Sequence, residues 1–158
     1  MLIGAYIRFA QNLVELDLGS NYICEKGLVP LADNLKSHPS LRMLNLRRNQ
    51  IKEKGCVALC TALTENKMLH LCDLSENRIG KGALIPLCTM LLRNSGLREL
   101  YLHGNDELVR SAGCVEKFEH AKKMRILMKL NNPDPADVRF ELCGWWGEST
   151  TKSSIEVK

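Results

Sequence analysis

Leu13-Val14-Glu15-Leu16-Asp17-Leu18-Gly19-Ser20-Asn21 returns in strict phase as Leu41 to Asn49, as Leu69 to Asn77 and as Leu97 to Asn105. Each copy spells L-x-x-L-x-L-x-x-N, with Cys72 in one leucine place. The alternating x-L-x-L core is the pattern of a short strand with one buried face, and the asparagine turns the chain off it. Behind the asparagine, Ile23, Leu31 and Leu35 recur as Ile51, Leu59 and Leu63 and again as Ile79, Leu87 and Leu91. The four-residue step between the paired leucines is helical. Each unit therefore reads strand, turn, helix, and in-phase copies of a long motif carry far more weight than one short match.

A 28-residue unit of this kind resembles the leucine-rich repeat proteins, and among them the ribonuclease-inhibitor-like class, which includes Ran GTPase activators and the sensor regions of NOD-like receptors. The resemblance implies an α/β fold: a solenoid bent into a horseshoe arc, with a concave parallel sheet and convex helices. It implies no single function.

The repeat phase divides the chain. Residues 1–12 read as the helix of a partial N-terminal repeat, because Ile3 and Ile7 stand in phase with Leu31 and Leu35. Residues 13–124 hold four repeats, the last degenerate, with Glu107 where an isoleucine is expected. A helix over 112–123 would place Val115 and Phe118 inward and Glu116 and Lys117 outward. Residues 125–146 read as a degenerate fifth strand, Ile126 to Leu130, and a C-terminal cap that includes the alternating Val138, Phe140 and Leu142, with Trp145 and Trp146 suiting either a capping plug or an exposed contact. Residues 147–158 are polar and read as a disordered tail. The chain starts inside a repeat, as a fragment of a longer array would, and an uncapped edge invites self-association.

Composition narrows the function classes. With 45% hydrophobic and 25% charged residues, 158 residues suffice for a continuous core. No apolar run is long enough to span a bilayer, and the first residues do not read as a signal peptide, so a cytoplasmic setting is expected. The seven cysteines are odd in number and follow the repeat, as Cys60, Cys72 and Cys88 show, so they read as reduced core residues. Without a C-x-x-C or H-x-x-x-H pair no metal site is expected, and no cofactor motif is present. Asn77-Arg78-Ile79-Gly80-Lys81-Gly82 lacks the spacing of a phosphate loop. Pro30 and Pro86 are expected in the first helical turns, where a missing N–H costs nothing.

The asparagine column, Asn21, Asn49, Asn77 and Asn105, reads as architecture: buried amides that bond the backbone of neighbouring turns. Function is sought on the strand positions that face away from the core. Down the strands these form columns: Glu15, Met43, Leu71, Glu99; Asp17, Asn45, Asp73, Tyr101; Gly19, Arg47, Ser75, His103; and Ser20, Arg48, Glu76, Gly104. Arg48 is within reach of Glu76, and Arg47 of Asp73 or Asp17. Met43 and Leu71, side by side on an outward face, together with Arg47, Arg48, Asp73, Glu76, Tyr101 and His103, point to a non-catalytic module or scaffold that binds a protein partner. A regulator of a GTPase or nuclease is an alternative. Nucleic acid is another, because the net charge of +4 concentrates in the second repeat at Arg42, Arg47, Arg48, Lys52 and Lys54. Those cations divide between several faces without interleaved aromatics, which disfavours it. An enzyme finds no nucleophile beside His38, His70, His103 or His120, and no catalytic residue is expected.

Overall fold

The computed structural model describes residues 2–110, 116–117 and 139–141. Four three-residue strands follow the repeat phase: β1 (Glu15–Asp17), β2 (Met43–Asn45), β3 (Leu71–Asp73) and β4 (Glu99–Tyr101). They pair in parallel and in sequence order, with Glu15, Met43, Leu71 and Glu99 as ladder partners. The helices α1 (Leu2–Phe9), α2 (Glu25–Leu35), α3 (Lys52–Glu65), α4 (Leu84–Arg93) and α5 (Asp106–Val109) alternate with them. Each of the first three helices packs on the next, so sheet and helices form two layers around one core. This is the α/β solenoid that the repeat implies.

The leucine columns make that core. Leu44, Leu46, Cys72, Leu74, Leu100 and Leu102 project inward from the strands onto Leu31, Leu35, Leu59, Leu63, Leu87 and Leu91 of the helices, all of them buried. Leu16 is only half-buried, because β1 is the edge of the sheet. Ile7 is buried against the same core, which brings α1 into the repeat phase. The α1–α2 contact depends on a missing side chain: a Cβ at Gly4 would meet Pro30 Cβ at 2.7 Å. Asn34 Nδ2 ties the two helices by donating to the Gly4 carbonyl at 3.0 Å and the Pro30 carbonyl at 2.7 Å.

Pro30 departs from the expectation. It lies inside α2 rather than in its first turn, so the helix forgoes one backbone hydrogen bond there. Pro86 does fall in the first turn of α4, after a short 3-10 turn at Lys81–Ala83. The place beside β4 is taken by β5 (Arg139–Glu141), parallel and paired through Leu100 and Phe140. The segment 126–130, expected there from the repeat phase, lies outside the described residues, as do Val115, Phe118, Trp145 and Trp146. Glu116 and Lys117 are helical and exposed.

The asparagine column forms a ladder. Asn49 Nδ2 donates to the carbonyls of Leu18 and Leu46, both at 2.8 Å, while its Oδ1 accepts the N–H groups of Asn21 and Ile23. Asn77 and Asn105 repeat the arrangement one and two turns on. A second ladder, not anticipated, runs along the loops that lead from helix to strand. Asn66 Nδ2 reaches the Leu35 carbonyl, and its Oδ1 accepts from Met68 and Leu69. Asn94 bonds Leu63, Asn66 and Leu97 in the same way. His38 holds the corresponding place in the first repeat, with Nδ1 accepting from Leu41 at 3.1 Å. Its buried Nε2 has no partner among the described residues.

Candidate protein-binding site

The outward strand positions are exposed or half-buried except Ser75, which is fully buried, and their polar groups are committed to different extents. The Asp17, Asn45 and Asp73 column is structural. Each Oδ1 accepts the N–H two residues on, from Gly19 at 2.8 Å, Arg47 at 2.9 Å and Ser75 at 2.8 Å, which starts the turn off the strand. Asp73 and Asp17 are therefore not the partners of Arg47. Tyr101 breaks the column, and its hydroxyl donates to Glu99 Oε2 at 2.6 Å.

Arg47, Arg48 and Glu76 form the one charged cluster of the face. Arg47 donates to Glu76 Oε1 from Nε at 2.9 Å and from Nη2 at 2.5 Å, and Arg48 Nε donates to Oε2 at 2.8 Å. The expected Arg48–Glu76 pair is present, and Arg47 joins it. Hydrogen bonds from Arg48 and then Arg47 hold the Glu76 carboxyl down at about 2, and the same pairing raises Arg48. One carboxylate between two guanidinium groups leaves net positive charge, with the outer N–H groups of both arginines unused among the described residues.

Backbone conformation puts those side chains there. Ser20, Arg48, Glu76 and Gly104, the last positions before each asparagine, all adopt left-handed φ of 58°, 55°, 55° and 69°. That region costs an L-residue about 1–2 kcal/mol, so it is natural only for Gly104. Glycine has a second reason to be there, since a Cβ would meet Glu76 Cγ at 2.7 Å. Gly104 thus leaves the room in which the Glu76 stem turns toward the arginines.

Met43 and Leu71 are ladder partners, and Met43 is 39% exposed, an unbranched apolar side chain at the start of β2. The His103 carbonyl accepts the Glu76 N–H at 2.8 Å, and its ring Nδ1 is bonded to Ser75 Oγ at 2.8 Å. That pair resembles a nucleophile and its base only on paper, because Ser75 is fully buried and no substrate can reach its hydroxyl. Among the described residues no group of His, Cys, Asp or Glu is arranged to hold a metal. The five described cysteines are free, with Cys56, Cys60 and Cys72 buried and Cys24 exposed. Burial raises the Cys72 thiol, and a bond with Cys60 together with burial raises Cys56. No described helix is long and apolar enough to cross a membrane.

One outward column escaped the sequence reading. Val14, Arg42, His70 and Arg98 directly follow the first leucine of each motif, where strict alternation counts them with the inward leucines, yet Val14 is 48% exposed and the other three are half-buried. Its signal was present all the same: two arginines and a histidine recurring in phase.

A family model described as Leucine Rich repeat matches residues 37–60. Among solved structures the chain is similar to leiomodin-1 Actin-Binding Site 2, with a TM-score of 0.63 and 15% identity, covering 81% of this chain and 90% of that one. It is also similar to the tropomodulin C-terminal domain of Caenorhabditis elegans, with a TM-score of 0.54 and 12% identity, covering 82% of this chain and 96% of that one. At such identities the likeness establishes the fold alone, a leucine-rich-repeat solenoid. No curated protein sequence matches the chain.

Proposed function

We propose that this leucine-rich-repeat solenoid is a non-catalytic interaction module that binds a protein partner on its concave sheet, in the cytoplasm. The observation that carries the reading is Met43, 39% exposed and paired in register with Leu71, on the same strand-and-turn segment that leads on to the Arg47–Glu76–Arg48 cluster. An apolar patch flanked by arginines and by Tyr101 matches the residue types that dominate protein interfaces. Glu76 fixes both guanidinium groups in place, so less side-chain freedom is lost when a partner docks.

The 28-residue reach of the asparagine bonds, from Asn21 to Asn49 and from Asn77 to Asn105, supports the ribonuclease-inhibitor-like class of repeat. Inhibition of a basic nuclease does not follow from it, because such a target wants a broadly acidic face and Arg47 and Arg48 interrupt the acids here. The leiomodin-1 domain that this chain resembles in fold is an actin-binding site by its own description. Actin is therefore the first protein to try.

The test is co-sedimentation with actin filaments and affinity capture from cell extract, each with the native chain and an Arg47→Ala/Arg48→Ala variant. Hot-spot arginines predict a loss of about 2 kcal/mol or more in the variant, with the fold retained because both side chains face solvent. Lys52→Ala/Lys54→Ala, off the sheet, should bind as the native chain does. A neutral arginine variant and a dead lysine variant would move the interaction to the helices.

A further inference from the structure

The amino ends of β2, β3 and β4 carry a row of charge separate from the Arg47–Glu76–Arg48 cluster. Arg42, His70 and Arg98 immediately precede the ladder partners Met43, Leu71 and Glu99, so the sheet holds them in register. The backbone continues the ladder through them. The Arg42 carbonyl accepts the N–H groups of His70 at 2.8 Å and Leu71 at 3.0 Å, and the His70 carbonyl accepts those of Arg98 at 2.7 Å and Glu99 at 2.9 Å. With neighbouring strands about 4.8 Å apart, the backbones of Arg42 and Arg98 stand roughly 9.6 Å from each other with that of His70 midway.

Among the described residues no acidic side chain neutralises the charge of this row. All three residues are half-buried. Glu76 is held by Arg47 and Arg48, and Glu99 accepts the Tyr101 hydroxyl. Among the described residues neither Arg42 nor Arg98 has an ion-pair partner, and the His70 ring makes no hydrogen bond. Arg42 is nonetheless fixed in direction, because Nη1 donates to the Met68 carbonyl at 2.9 Å. His70 is lowered from its ordinary range by burial and then by the charges of Arg98 and Arg42. The field that disfavours a proton on this imidazole attracts an anion to the same place.

We infer that Arg42, His70 and Arg98 form a binding row for an extended acidic segment of a partner protein, with two carboxylates pairing the outer arginines. The spacing selects the segment. A polyproline II strand advances about 3.1 Å per residue, so acids at i and i+3 lie about 9.3 Å apart on one side, close to the separation of the arginines. Acids at i and i+2 of a β-strand are only about 6.7 Å apart and reach one arginine at a time. Neutral His70, between the two pairs, has a ring N–H for a backbone carbonyl of the segment. Once two carboxylates offset the arginines, the imidazole takes up a proton more readily, so binding tightens as pH falls from 7.5 to 5.5.

Fluorescence anisotropy of the full chain with a labelled peptide containing Glu-Pro-Pro-Glu tests this. The native chain should bind it and should bind neither the Gln-Pro-Pro-Gln version nor an extended peptide with glutamates two residues apart. Arg98→Gln should weaken binding about tenfold, as loss of a charge-assisted pair does. Because the Arg98 guanidinium holds no other described residue, this variant keeps the test sound if Arg42→Gln fails to fold. His70→Gln should abolish the tightening at low pH. Lys52→Gln/Lys54→Gln, off the sheet, should change nothing, and if Arg47→Gln/Arg48→Gln abolishes binding while Arg98→Gln does not, acidic segments dock on the sheet face and the row is not a site. Equal binding of both peptide spacings, or tighter binding of a single-stranded oligonucleotide that depends on Arg98, would also overturn the inference.

Discussion

Asn21 and Asn105 hold the same place in the first and fourth repeats, yet one is exposed and the other fully buried. Asn105 Oδ1 accepts the N–H groups of Asn77 and Ile79, both at 3.0 Å, and its Nδ2 donates to the carbonyls of Leu74 and Leu102. Asn21 Nδ2 reaches no further than the Gly19 carbonyl in its own turn. The difference shows that each asparagine serves the turn before it, so the ladder is a chain of nearest-neighbour bonds rather than a property of each repeat alone. Stability in such a molecule is built repeat against repeat, and the first repeat, with β1 on the sheet edge, has one such neighbour fewer.

Substitution at these two positions should separate them most. Asn105→Ala strips two N–H groups and two carbonyls of this partner, and at about 1–3 kcal/mol for each orphaned buried group the loss should be about 4 kcal/mol or more. Asn21→Ala removes one exposed bond that water replaces, for a few tenths of a kcal/mol. Urea unfolding of the two variants measures both. Equal losses would mean that the edge turn is as tightly held as the interior, and the nearest-neighbour picture would fail.

The second ladder sharpens the same contrast. Asn66 and Asn94 each donate to the preceding helix and accept from the following strand, whereas His38 only accepts and leaves buried Nε2 unpaired. The carbonyl in phase with Leu35 and Leu63 is that of Ile7. His38→Asn would place an amide toward it and should raise the unfolding free energy by about 1 kcal/mol. Thermal and urea midpoints would register this, and a clear destabilisation would show that the imidazole fills space that an amide cannot.

How much of this was legible in the sequence depends on where the signal sits. The strand leucines and the turn asparagines recur inside one short motif, so the fold class, the strand register and the bonding role of Asn49, Asn77 and Asn105 could be read directly. His38, Asn66 and Asn94 recur with the same period, but the column begins with a histidine and lies in a loop, where no alternation draws attention to it. The partner of Arg47 was not legible, because several acids stand within an arginine's reach. Two local facts chose Glu76: Asp17 and Asp73 are consumed by their own turns, and the left-handed backbone at Glu76 aims its side chain at the arginines. Pro30 inside α2 was misplaced for a related reason, since helix ends are set by caps and packing that periodicity does not encode.

The smallest expected difference concerns the column of left-handed residues. Ser20 in the first repeat carries no charge there, while Arg48 and Glu76 in the next two are paired. Glu76 falls from an ordinary 4.5 to about 2 on folding, chiefly through its hydrogen bond from Arg48. A carboxyl lowered by folding contributes stability that is present above its unfolded value and lost as pH falls toward the folded one. Both arginines are well exposed, at 42% and 61% of their side chains, so solvent screening holds the contribution below about 1 kcal/mol. Glu76→Gln should therefore lower stability slightly at pH 7, and the gap from the native chain should close between pH 4.5 and about 2. Added salt should narrow the gap at neutral pH as well. Ser20→Ala, at the uncharged counterpart, should show neither dependence. Should the Glu76→Gln gap persist unchanged to low pH, the side chain would be acting through its packing over Gly104 and not through its charge.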